Sequence, residues 1–169
     1  MGYRTYIAGD WTGDKIAIDK LYEWNKGHWS LSFIDAHELK QARDSSLSCS
    51  IKKSLKERMD VSNKFVLIVG DQTNRLTKGG CQLCESYNSW NYSCARKYYV
   101  DYRSFIKYEC DIALAAKIKI IVLYNSSIVS RNKCPEVLRS IGLHIPMMIK
   151  KQDGKYYWNY EEIKNAINS

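Results

Sequence analysis

Apolar positions along the chain follow two alternating rhythms. Runs of β-prone residues occur at Tyr3–Gly9, Trp29–Ile34, Phe65–Val69, Ile118–Tyr124 and Ile145–Ile149. Between them, apolar residues return every three or four positions, the spacing of one helix face. Ala17, Leu21 and Trp24, with Ile18 and Tyr22, predict a helix opened by Thr12-Gly13-Asp14 and stopped at Gly27. Leu47, Ile51, Leu55 and Met59 predict a second helix, capped by Ser46 or Ser48 and ending near Asp60. Ile106, Cys110, Ala113, Leu114 and Lys117 predict a third, with Ser104 at its N-cap. Pro135 is placed to start a short helix ending at Gly142, and Asn159 to cap a last one running to about Ile167. Ala36–Asp44 reads as a polar connection and Gln152-Asp153-Gly154-Lys155 as a turn.

Phe65–Val69 is apolar at every position, so both of its faces must be covered, as in a central parallel strand. Pro146 points to an edge position for the fifth strand. Strand and helix alternate along the chain, broken only between Gln72 and Tyr102, where periodicity is lost. The expected fold is α/β of the flavodoxin-like kind. It is a three-layer sandwich with a five-stranded, mostly parallel sheet and helices on both faces. Residues 1–169 read as one domain in which 72–102 is an elaborated loop or insertion. Open sheets of this class take ligands beyond the carboxyl ends of their strands. Gly9-Asp10-Trp11, Asp35 to His37, Gly70-Asp71 and Tyr124-Asn125 are delivered to that edge. The third helix runs against the strands, so its start lies at the same edge, with Glu109 one turn in.

Composition changes this picture little. The chain is 45% hydrophobic and 26% charged, which argues against disorder. The net charge of +8 suits an anionic partner, but the basic residues are scattered, which suits an ordinary solvated surface equally well. No run approaches a membrane span, and the first residues lack a signal-peptide core and a myristoylation pattern. A cytoplasmic protein is expected, its six cysteines reduced, with Cys49 and Cys110 as small core residues.

Several chemistries can be weighed on these residues. Asp10, Asp35 and Asp71 each end a strand, where a carboxylate caps the following turn or serves a cation or ribose site. Neither a dinucleotide fingerprint nor a P-loop is present, which argues against a dehydrogenase or an NTPase. A phosphoacceptor receiver domain needs an acidic pair after the first strand, and Asp10 is followed there by Trp11. Cys81-x-x-Cys84, with Cys94 ten residues later, offers three zinc ligands, but no fourth is evident, and free thiols without a metal are expected. His37 is the histidine nearest the expected crevice. Tyr87, Trp90, Tyr92, Tyr98, Tyr99 and Tyr102, with Arg96, Lys97 and Arg103, suit either a packed sub-core or a surface for stacking single-stranded bases. The packed sub-core is preferred, so nucleic acid is not an expected partner.

The segment Phe105-Ile106-Lys107-Tyr108-Glu109, followed by Cys110-Asp111-Ile112-Ala113-Leu114 and the strand Lys119-Ile120-Ile121-Val122, resembles the catalytic helix of TIR domains. Arg4-Thr5-Tyr6-Ile7-Ala8-Gly9-Asp10 looks like a TIR first strand. The likeness is nearest to the bacterial TIR-like family that includes the signal-producing protein of Thoeris antiphage defence. The resemblance implies an NAD⁺ nucleosidase or ADP-ribosyl cyclase in which NAD⁺ is substrate and no cofactor is needed. By position, Glu109 matches the catalytic glutamate and Phe105 the aromatic residue four places before it. Ala8, Gly9, Asp10 and Trp11 match the nucleotide-contacting loop, although the usual serine-aromatic pattern is absent there. Asp71 would border the cleft. The resemblance also implies self-association and a downstream effector that senses the nucleotide product. The alternative is a non-catalytic TIR-like interaction module in which Glu109 is a helix-terminal charge.

Overall fold

The structure is a computed structural model, and it describes residues 3–27, 31, 33–35 and 47–169. His37 and the connection expected at Ala36–Asp44 lie outside the described residues. In chain order the elements are β1 (Tyr3–Ala8), α1 (Lys15–Lys26), β2 (Phe33–Asp35), α2 (Ser48–Asp60), β3 (Lys64–Val69), β4 (Tyr87–Asn88), β5 (Ser93–Cys94), α3 (Phe105–Ala115), β6 (Lys119–Tyr124), β7 (Leu143–Pro146), β8 (Met148–Lys150), β9 (Tyr156–Trp158) and α4 (Tyr160–Asn168).

Five strands form one parallel sheet in the order β2-β1-β3-β6-β7. Side chains of successive strand residues point to opposite faces, and the core divides accordingly. Tyr6, Ala8, Phe65, Leu67, Val69, Ile120, Val122 and Tyr124 pack on one face against Leu55 and Met59 of α2 and Ile106, Cys110 and Ala113 of α3. Ile7, Val66, Ile68, Ile121, Leu123 and Ile145 pack on the other against Ala17, Ile18, Leu21 and Trp24 of α1 and Ile163, Ala166 and Ile167 of α4. This is the expected α/β three-layer sandwich, and every residue of β3 is buried, as its continuous apolar run requires.

Two strand lysines have a structural task. The Lys64 and Lys119 ammonium groups donate to the Ile167 and Ala166 carbonyls at the end of α4, the second at 2.8 Å. Carbonyls of a last helical turn lack intrahelical partners, and a cation there also complements the helix dipole. This accounts for the lysine that interrupts the apolar run of β6.

Four expectations about boundaries are corrected. Pro135 does not start an α-helix. Leu138, Arg139 and Ile141 each bond back three residues, to Pro135, Glu136 and Leu138, which leaves tight 3₁₀ turns. The fifth strand ends at Pro146 rather than Ile149, although it is an edge strand as expected. Beyond it, Met148–Lys150 turns away and pairs antiparallel with Tyr156–Trp158. The second strand is Phe33–Asp35, one residue past the expected end, and Leu31 is outside it; Trp29, Ser30 and Ser32 of the expected run lie outside the described residues. The N-cap position of α2 is held by Leu47, not by a serine, and its side chain makes no capping bond; Ser46 lies outside the described residues. Ser104 does cap α3, where its hydroxyl oxygen accepts from the Lys107 N–H. No helix among the described residues is long and apolar enough to cross a membrane.

Candidate functional site

The sheet reverses its winding between β1 and β3, and the crevice beyond that switch point lies at the carboxyl ends of the strands. Asp10 closes the turn after β1: its side chain accepts from the Thr12 N–H at 3.1 Å and its carbonyl from the Asp14 N–H at 2.8 Å. Asp14, placed by the sequence at the opening of α1, is buried at the crevice floor. The Asn125 amide donates to its Oδ1 at 2.8 Å. Gly70 makes room for it: a Cβ on Gly70 would come within 2.0 Å of Asp14 Oδ1. Burial raises the Asp14 carboxyl above the usual range, the Asn125 hydrogen bond opposes that, and the charges of Asp10 and Asp71 add to the rise. Asp71 stands exposed and pairs with Lys133 at 2.5 Å, which holds its carboxyl below the usual range. Among the described residues, no group of three or more His, Cys, Asp or Glu is gathered closely enough to hold a metal ion.

Glu109 lies deeper. It is 5% exposed, on the face of α3 that meets the sheet, and the Tyr6 hydroxyl donates to its Oε1 at 2.5 Å. Tyr6 is fully buried in β1, two residues before that strand ends. Glu109 stands four residues into α3, about 6 Å along the axis from its start. The helix start is pinned from outside. Phe105 N–H donates to the Lys78 carbonyl at 2.8 Å, and a Cβ on Gly79, whose φ is +102°, would come within 2.5 Å of the Phe105 ring. Glycine at Gly79 therefore serves both the backbone angle and the close approach of the ring.

A second cluster clamps α3 to α2. Arg103 grips Asp101 with two guanidinium nitrogens, at 3.0 and 2.8 Å, and reaches Asp111 at 2.8 Å. Lys52 is buried, donates to the Arg103 carbonyl at 2.7 Å and lies 3.4 Å from the Asp101 carboxylate. The Tyr108 ring lies beneath both cations, 5.0 Å from the guanidinium and 5.6 Å from the ammonium. Burial would raise the Asp101 carboxyl, but its bonds to Arg103 and the nearby Lys52 outweigh that and bring it to about 2. Burial lowers the Lys52 ammonium, against the pull of Asp101.

The nucleotide-facing residues expected from the sequence are thus dispersed by depth. Ala8 and Gly9 are buried, Asp10 is half-buried, and Trp11 is exposed with its ring 6.0 Å from Tyr22. Phe105 is half-buried over Gly79, and Asp71 faces solvent. Asp35 ends β2 at the same edge. The sequence reading had no role for Tyr6 and took Asp14 only as a helix opener. The available signals were a tyrosine in an otherwise aliphatic strand and the glycine that follows β3. Two open clefts of ≈ 470 and ≈ 550 Å³ lie on either side of the Asp101–Arg103 clamp. The first is lined by Lys52, Lys53 and Lys56, the second by Arg103, Lys107 and Arg139, and Glu109 lines neither.

Residues 5–78 match the family described as the Thoeris protein ThsB, TIR-like domain. The matched part of the chain runs from β1 past β3. It includes Tyr6, Asp10, Asp14, Asp71 and Lys78 and ends before α3 and Glu109. Among solved structures, a prokaryotic SEFIR domain aligns at 12% identity and a TM-score of 0.44, over 99% of this chain and 94% of that one. Comparison with curated proteins gives no match.

Proposed function

We propose that this TIR-like chain is an NAD⁺ nucleosidase or ADP-ribosyl cyclase that produces a nucleotide signal in antiphage defence. The reading rests on Glu109, a carboxylate buried beside the sheet edge with one oxygen fixed by the Tyr6 hydroxyl. Cleavage of the bond between nicotinamide and ribose sends the bonding electron pair to the departing neutral nicotinamide. Positive charge then develops at the anomeric carbon. A fixed carboxylate shielded from water stabilises that charge far better than a mobile, hydrated one. Water or an internal nucleophile of the ADP-ribose completes the reaction, giving hydrolysis or cyclisation.

In this reading Tyr6 is a positioning residue, and Phe105, seated on Gly79, sets the angle at which α3 presents Glu109. Trp11 offers an exposed ring for stacking a base, and Asp10 and Asp71 border the crevice. NAD⁺ is the substrate, self-association completes the site, and an effector senses the product. The test is incubation of the pure, assembled protein with NAD⁺ while nicotinamide release is followed. Release that is lost in Glu109→Gln supports the reading. No release from assembled protein, or undiminished release from the variant, overturns it.

The depth of Glu109 favours one competing reading, a non-catalytic interaction module in which the Tyr6–Glu109 bond serves packing alone. That reading expects no NAD⁺ binding by calorimetry and a stable protein complex.

A further inference from the structure

Residues 81–103 form an extended excursion from the sandwich in which no residue is buried. Its only regular structure is a 3₁₀ turn at Cys81–Leu83 and the two-residue strands β4 and β5. Trp90 is 94% exposed and Tyr99 89%. Short two-stranded hairpins are marginal in water, and small segments without a core are held by disulfides or metal ions. Four of the six cysteines gather at the base of this excursion. Cys49, from the first turn of α2, lines one cavity together with Cys81, Cys84 and Cys94, alongside Tyr87, Tyr98 and Tyr99. Cys49 is thus not the core residue its helical spacing suggested. It supplies the fourth thiol that no sequence spacing revealed. The cavity is ≈ 20 Å³, and about 10–15 Å³ already holds a water.

We propose that Cys49, Cys81, Cys84 and Cys94 form a structural zinc site that ties the 81–103 excursion to α2. Four cysteines lining one small cavity match Zn²⁺ in kind, since it takes sets of four thiolates at about 2.3 Å. The local backbone has the form such a site needs. The Cys84 N–H closes on the Cys81 carbonyl at 2.9 Å, so the two thiols of Cys81-x-x-Cys84 leave one tight turn. The Asp101 N–H already donates to Cys81 Sγ at 3.2 Å, the kind of outer contact that steadies a thiolate ligand. Lys52, Lys53 and Lys56 line the adjoining cleft together with Cys49 and Cys81, where they offset the charge of a tetrathiolate. No three of these cysteines are gathered closely enough in this structure to hold the ion, so binding includes drawing the thiols together. Each ligating thiol releases its proton to solvent as its sulfur bonds to zinc, so affinity falls as pH falls.

The test is elemental analysis of full-length protein purified without chelator, with cobalt(II) exchange to read the ligands. About one zinc per chain is expected, together with a thiolate-to-cobalt charge-transfer band in the near ultraviolet. Cys84→Ser and Cys49→Ser should each lower the zinc content sharply, and Cys134→Ala should leave it unchanged. Anaerobic thiol titration of the unfolded wild-type chain with chelator should return all six thiols. Metal-free protein, iron in place of zinc, a disulfide among these four cysteines, or zinc retained in both serine variants would overturn the proposal. The wild-type measurements decide it even if a variant fails to fold. None of these readouts depends on NAD⁺.

Discussion

The Tyr6 hydroxyl and the Glu109 carboxylate meet at 2.5 Å across 103 residues of chain and join the first strand to the third helix. Both side chains are buried, so the bond is made where an unpartnered polar group is costly. Tyr6→Phe should therefore lower stability by about 1–3 kcal/mol, read as a fall in Tm. If Glu109 is catalytic, the same variant should also lower kcat, change the pH profile of nicotinamide release and leave KM nearly unchanged. A purely structural bond predicts the Tm change alone.

Glu109→Gln keeps the shape of the side chain and removes its charge. Nicotinamide release should fall by about 100-fold or more, in line with the loss of one preorganised electrostatic contact. Circular dichroism should confirm that the fold persists. Steady-state assays of the assembled protein provide the check.

Gly70→Ala tests the crevice floor. Its Cβ would overlap the Asp14 carboxylate, which is held by Asn125, so the variant should lose about 1–3 kcal/mol of stability. Asp14→Ala clears the overlap, and the double variant should lose less than the two single losses combined. A double-mutant cycle in urea measures this directly.

The Asp101 clamp gives stability a defined acid limit. Its carboxyl is lowered from 3.8 to about 2 in the folded chain, so the folded state favours the charged form. That contribution is complete above pH 3.8 and is lost as pH falls through about 2. Asp101→Asn should remove this part of the pH dependence. Denaturant midpoints compared between wild type and variant from pH 5 downward, over the range where both still fold, would register the loss.

Trp11→Ala separates binding from folding. The ring is 46% exposed and contacts Tyr22 at the surface, so stability should change by less than about 1 kcal/mol. In the NAD⁺ reading KM rises several-fold while kcat is nearly unchanged. Initial rates at varied NAD⁺ would separate these effects.

Much of the architecture was legible in the residues. The wholly apolar Phe65–Val69 could not be anything but a covered strand, and Ser104 before an apolar helical spacing marked the start of α3. Errors fell where local pattern leaves the choice open. Pro135 suits a 3₁₀ turn as well as an α-helix, and the apolar residues after Pro146 serve either the parallel sheet or a separate hairpin. In both places the deciding hydrogen bonds were made by the particular path of the chain, not by side-chain type.

The sequence by itself determined the order of strands and helices, the parallel sheet, and the faces its elements bury. These follow from periodicity and from the connections that alternating elements permit. Tertiary structure alone decided that Tyr6 meets Glu109, that Asp14 settles over Gly70, and that Cys49 joins the three cysteines of the excursion. Periodicity says which way a side chain points from its own element. It does not say which residue of a distant element stands opposite, because register, helix placement and loop path jointly set that pairing once the whole core packs.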